Sequence, residues 1–298
     1  MTLSLASIVF VFIGQFLNAV IVLIDKHIVT STVVSRPSTY AFYVGLFSGF
    51  VLLILPFGLV GTPDAFILKI SLIIGFTFIT SIFFLFSALK FANATDVVSW
   101  LAAISTIATF TLSFLFLQEN LPQSFPIALV LFLIGISMVG HFRFNARSFI
   151  FVVIAGILFG SSAVLLKILF EHTTFINGFF WSRMGNVIGA LALLSFPSVR
   201  AHIFVTTREA AVKTGFLIVF NRILGGIAFI FILYAIRLGS VSVVNALSAL
   251  QFFFVFVLVF LLMKKLPHLY QHEFRPGHIL HKVMAMIFIA AGFFVLFL

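Results

Sequence analysis

Arg222 has the strongest claim to chemistry in this chain. It stands about nine residues into an apolar stretch, roughly 13 Å from its start at 1.5 Å per residue, with Asn221 beside it. A guanidinium at that depth is costly unless paired, and its planar fork matches a carboxylate or phosphate through two hydrogen bonds. Amides gather elsewhere. Gln15 and Asn18 are three residues apart, and Asn245, Ser248 and Gln251 follow at spacings of three, which places each group along one helix face. Ser99 and Trp100 add a hydroxyl and a ring able to stack on a ligand. The candidate substrate-binding set is therefore Gln15, Asn18, Ser99, Trp100, Asn221, Arg222, Asn245, Ser248 and Gln251. The competing use of such groups is hydrogen bonding between helices, worth only about 0.6 kcal/mol on average in membranes. Arg183 is equally deep, but its segment reads as peripheral and its expected role is structural.

The carboxylates are informative by position. Asp25, Asp64, Asp96, Glu119, Glu171, Glu209 and Glu273 all fall at or near segment ends, and none is mid-segment. Export of lipophilic cations needs a membrane carboxylate as counter-charge and proton carrier, so that activity is disfavoured. Glu119 reads as a helix-end residue at the membrane surface. His268, His272, His278 and His281 share one basic connection with Lys264, Lys265, Arg275 and Lys282, at intervals too loose for a metal site. The chain has no cysteine, which excludes disulfides and thiolate chemistry. Neither a catalytic triad nor a phosphate-binding glycine loop is present. No enzyme activity, cofactor, metal or nucleic-acid partner is expected.

The elements that must hold these residues follow from composition. Of 298 residues, 63% are hydrophobic and 8% charged, against about 25% charge in soluble domains. Mean hydropathy is +1.31. A helical span needs about 20 apolar residues, so the length supports about ten. Spans are expected over 3–24, 39–60, 66–89, 94–117, 124–140, 147–170, 174–197, 213–236, 241–263 and 279–298. The first reads as a membrane helix rather than a cleaved leader. The net charge of +10 sits in connections, where it sets topology and touches anionic headgroups.

A pattern recurs. Ala88-Leu89-Lys90-Phe91 and Ala235-Ile236-Arg237-Leu238 are followed by a small residue (Ala92 or Gly239) and a hydroxyl (Thr95 or Ser242). Both units close on Leu-Pro, at Leu121-Pro122 and Leu266-Pro267. Gly45 and Gly49 of the second span match Gly185 and Gly189 of the seventh, and Gly156 and Gly160 of the sixth match Gly14 and Asn18 of the first. Gly135 and Gly292 mark the fifth and tenth. Five spans followed by five related spans, 1–142 and 143–298, give an odd number per unit, which inverts the second copy.

The chain resembles the drug/metabolite transporter superfamily, EamA type. The resemblance rests on Ala88-Leu89-Lys90 with its short turn, on the small and hydroxyl residues of the fourth span, and on Phe116-Leu117-Gln118-Glu119-Asn120-Leu121. That last run is similar to the family's leucine-glycine-glutamate ending, with Gln118 in place of the glycine. Arg183 in Phe179-Phe180-Trp181-Ser182-Arg183 is similar to the family's seventh-helix pattern. In the second copy Lys264-Lys265 stands where the acidic residue would be. The resemblance implies two five-helix bundles around a central cavity, and export or exchange of small metabolites.

The expectation is an all-α polytopic membrane protein of about ten helices in two inverted five-helix repeats. It would act in the cell inner (plasma) membrane as a secondary transporter of small polar metabolites, amino acids or organic anions. Organophosphate exchange is the alternative, and a non-transporting scaffold or lipid-binding protein is the alternative of another class. Expected partners are the solute and membrane lipids, with a monomer favoured over a dimer. Roughly twelve Lys and Arg lie in the connections after odd-numbered spans and about three in the others, which places both termini outside. The resemblance implies both termini inside.

Overall fold

In hydrocarbon, backbone N–H and C=O groups must satisfy one another, so long apolar runs become helices. The computed structural model describes residues 5–29, 37–92, 94–139, 145–197, 199–200, 212–262 and 276–298, and all regular structure among them is helical. The elements are α1 (Leu5–Val29), α2 (Pro37–Phe47), α3 (Ala65–Leu89), α4 (Ala94–Phe116), α5 (Phe125–Val139), α6 (Ala146–His172), α7 (Phe175–Ala192), α8 (Val212–Leu238), α9 (Val241–Ala246), α10 (Ala249–Leu262) and α11 (Pro276–Leu296). Six described segments are long and apolar enough to cross a membrane: Leu5–Ile24, Pro37–Phe57, Ala65–Leu89, Asp96–Phe116, Ala146–His172 and Val241–Leu261. This is an all-α, membrane-embedded protein. The histidine-bearing connection with His268, His272, Lys264, Lys265 and Arg275 lies outside the described residues, as does Asn93.

Local chemistry sets the helix starts. Asp64 accepts the Ile67 N–H (2.7 Å), Asn145 the Ser148 N–H (2.7 Å), Thr174 the Asn177 N–H (3.4 Å) and Ser240 the Val243 N–H (3.3 Å). Each side chain satisfies an amide that the first helical turn leaves free. The His172 hydrogen bond (2.8 Å) and the Ile67 amide together hold the Asp64 carboxyl below the usual carboxylate range.

Two segments depart from the unbroken helices expected over 39–60 and 241–263. From Ser48 to Phe57 the second span winds as a 3-10 helix and ends at Gly58 with φ 65°. Ser48 donates its hydroxyl back to the Val44 carbonyl (3.3 Å), and Pro56 has no N–H to give the ladder. The other span breaks at Leu247-Ser248, between α9 and α10. There Ser248, Leu250 and Gln251 donate to carbonyls three residues back, and Thr106 of α4 donates its hydroxyl to the Asn245 carbonyl (3.2 Å). Neither proline nor glycine marks this break; a contact from another helix does.

Small residues place the helices. A Cβ on Gly185 would lie 1.9 Å from the Ser71 carbonyl oxygen, and one on Gly75 2.0 Å from that of Gly185, so α3 and α7 touch backbone to backbone. Gly156 and Gly160 of α6 admit Ile104, Ser105 and Ala108 of α4, and Gly14 of α1 admits Ile232 and Ala228 of α8. The α5–α11 contact is reciprocal. Gly135 faces Ala285 and Ile289, while Gly292 faces Ala128 and Phe132. The two helices run antiparallel, and the three positions on one match three on the other at a constant offset (128 to 285, 132 to 289, 135 to 292). A second reciprocity links other helices: Ser7 of α1 donates to the Ala235 carbonyl of α8 (2.9 Å), and Ser148 of α6 donates to the Ala88 carbonyl of α3 (3.2 Å).

Glu119 lies at a helix end, as expected, but it also ties the two halves of the sequence together. Its carboxylate accepts from the Ser240 hydroxyl (2.7 Å), the Val241 N–H (2.8 Å), the Ser242 N–H (3.3 Å) and the Ser242 hydroxyl (2.8 Å), at the start of α9. Lys167 lies on the other side of the same corner, donating to the Ile236 (3.1 Å) and Gly239 (2.7 Å) carbonyls at the end of α8. The anion meets a helix N-terminus and the cation a helix C-terminus, the signs that helix dipoles favour. Gln118, just before Glu119, has φ 47°, the left-handed backbone that glycine adopts freely.

Candidate functional site

The described carboxylates lie at the margins. Asp64 caps α3, Asp96 occupies the first turn of α4, Glu119 follows α4 and Glu171 sits in the last turn of α6. Among the described side chains the buried mid-helix cation is Arg183.

Arg183 stands nine residues into α7, about 12 Å from the helix start. The glycines at 185 and 189 draw α7 onto α3, and this brings Phe78 of α3 to the guanidinium (5.7 Å from its central carbon to the ring centroid). Phe179, one turn earlier on α7, lies at 5.8 Å, and Phe229 of α8 at 4.5 Å. Three rings from three helices thus enclose the cation, and each contributes the attraction of its π face. Arg183 is 8% exposed, and its Nε and Nη2 have no hydrogen-bond partner among the described residues. Nearby on the same seam, Asn186 donates to the Ser48 hydroxyl (3.5 Å), while its Oδ1 and the Ser71 hydroxyl have no partner among the described residues.

The residues expected at the site are spread among several contacts. On α1, Asn18 donates to Gln15 Oε1 (3.3 Å), and Gln15 is buried. Asn221 is buried in α8; the side chain of Arg222 lies outside the described residues. Asn245 is engaged with α4, its Nδ2 donating to the Ser105 (3.5 Å) and Thr109 hydroxyls. Ser248 and Gln251 flank the break after α9, half-buried. Because the turn there tightens to three residues, 245, 248 and 251 fall nearly in line. Ser99 is fully buried with its hydroxyl unpartnered among the described residues. Trp100 packs with Ala88, Val97 and Val152 in an apolar cluster joining α3, α4 and α6.

No family model and no curated protein matches this sequence. Its fold is shared. A crystal structure of a protein aligns over 100% of this chain and 99% of its own, with a TM-score of 0.71 at 17% identity.

Arg183, expected in a structural role, is the buried cation of this seam. Its depth was visible, but not that α7 is drawn inward by α3 or that Phe229 of α8 reaches it. The available signal was the spacing of Phe179, Arg183, Gly185 and Gly189, which joins a ring, a cation and two close-contact positions over eleven residues. Among the described residues no group of three His, Asp or Glu could hold a metal ion.

Proposed function

We propose that this chain is a secondary transporter that moves a small polar metabolite, anionic or zwitterionic, across the cell inner membrane by alternating access. In this reading 1–142 and 143–298 are two inverted five-helix repeats around a central cavity, similar to drug/metabolite transporters of the EamA type. The observation that carries the reading is the α5–α11 reciprocity. A unit and its copy related by a two-fold axis in the membrane plane meet antiparallel, each position facing the counterpart of the other. Gly135 and Gly292 meet α11 and α5 in that way. The Ser7 and Ser148 hydrogen bonds repeat the relation on four other helices. Left-handed Gln118, standing where the resemblance puts a glycine, also favours it.

Inverted repeats of this kind suit transport because two equivalent packings of one unit provide an outward- and an inward-open state. Gln15, Asn18 and Asn221 supply polar groups at mid-helix. The test is counterflow in proteoliposomes with labelled amino acids, organic acids, phosphorylated sugars and cationic dyes. Saturable exchange of amino or organic acids is expected. Exchange of dyes alone would overturn the solute class, and no exchange by folded protein would favour a scaffold.

A further inference from the structure

Arg183 is a buried mid-helix cation with no part in the solute contacts proposed so far. Nε and Nη2 form one edge of the guanidinium, where two N–H bonds point the same way at the spacing of the two oxygens of a carboxylate. Those two nitrogens are the ones without partners among the described residues. Phe78, Phe179 and Phe229 pack around the cation but accept nothing in the plane of the fork. The residue is 8% exposed, and no described carboxylate pairs with it. A guanidinium left in that state lacks both a counter-charge and two hydrogen bonds, each costly to omit inside a membrane protein.

We propose that Arg183 binds a carboxylate of the solute, both oxygens accepting from the Nε–Nη2 edge, with the three phenylalanines excluding water and holding the fork in place. The description of the ligand as a transported solute rests on the transport reading; the binding site does not. The ligand class is a small molecule bearing a free carboxylate, planar like the fork that receives it. Its amide or ester lacks the charge and the second equivalent oxygen.

The experiment is a melting-temperature titration of purified protein in detergent. The probes are L-leucine, L-glutamate, lactate and benzoate, each beside its carboxamide, with methyl phosphate as the tetrahedral anion. At least one carboxylate should raise the melting temperature, and its carboxamide should not. Arg183→Gln should remove the shift. Arg183→Lys keeps the charge but not the fork, and should weaken apparent affinity about 10- to 100-fold. The lysine variant carries the test alone if the glutamine variant does not fold. The proposal is overturned if no carboxylate gives a shift, if methyl phosphate gives the larger one, or if the lysine variant binds as the parent does. Carboxylate binding without flux in liposomes would sink the transport reading and keep this site. Flux indifferent to both the carboxylate and Arg183 would do the reverse.

Discussion

The α5–α11 and α3–α7 crossings use the same device and bury opposite things. In both, glycine brings two helices together. At α5–α11 the buried side chains are apolar throughout, with Ala128, Phe132, Ile136, Ala285 and Ile289 at its centre. At α3–α7 the buried set includes Ser71, Ser182, Arg183 and Asn186, three of which carry unpartnered polar atoms among the described residues. Close approach therefore serves two ends in one fold. One crossing is a dry seal, and the other holds polar groups at a depth where only a ligand or a precise neighbour can satisfy them.

The two crossings differ most in what their glycines meet. Gly185→Ala would drive a methyl into the Ser71 carbonyl at 1.9 Å, and backbone cannot step aside. A loss of about 3 kcal/mol is expected, at the upper end for overpacking. Gly135→Ala meets Ile289 Cγ1 at 2.6 Å and the Ala285 carbonyl only at 3.0 Å, so less main chain must move, and it should cost about 1–2 kcal/mol. Unfolding of the two variants in detergent decides this; equal losses would mean that the two crossings are equally rigid. Glu119→Ala is the next largest effect. It leaves the first amides of α9 without their acceptor and should cost about 2 kcal/mol. An unchanged melting temperature would show that the clasp between the two halves is dispensable. The smallest change is a gain: Gln118→Gly relieves a left-handed backbone and should stabilise by roughly 0.5–1 kcal/mol. A loss there would mean that the Gln118 side chain makes a contact worth more than the backbone strain.

Much of the fold was legible, because hydrocarbon imposes helices and their length wherever apolar runs occur. The spans expected over 94–117 and 147–170 are α4 (Ala94–Phe116) and α6 (Ala146–His172). The break at Leu247-Ser248 was not legible, since it is made by Thr106 from a helix more than a hundred residues away. Glu119 shows the same divide. Its place at a helix end follows from local sequence, but its partners at Ser240, Val241 and Ser242 do not. For the site, periodicity found the polar positions and could not say which helix faces which. Asn245 thus proves to be tied to Thr109 and Ser105, and Arg183 proves to stand where three helices converge.

The contact between Gly75, Gly185 and the Ser71 carbonyl also has a mechanical meaning. Two cylinders touching backbone to backbone are keyed together. A slide or turn of one residue would push Met184 or Asn186 into the main chain of α3. Helices α3 and α7 must therefore travel as one shaft, and Arg183 with Phe78 and Phe179 travels on it. Any rocking of the bundle is left to looser seams, such as that at Gly14, where the Ile232 side chain is met at 2.7 Å and the Ala228 carbonyl only at 3.2 Å, and it would carry Phe229 toward or away from a cation that stays fixed in its own frame.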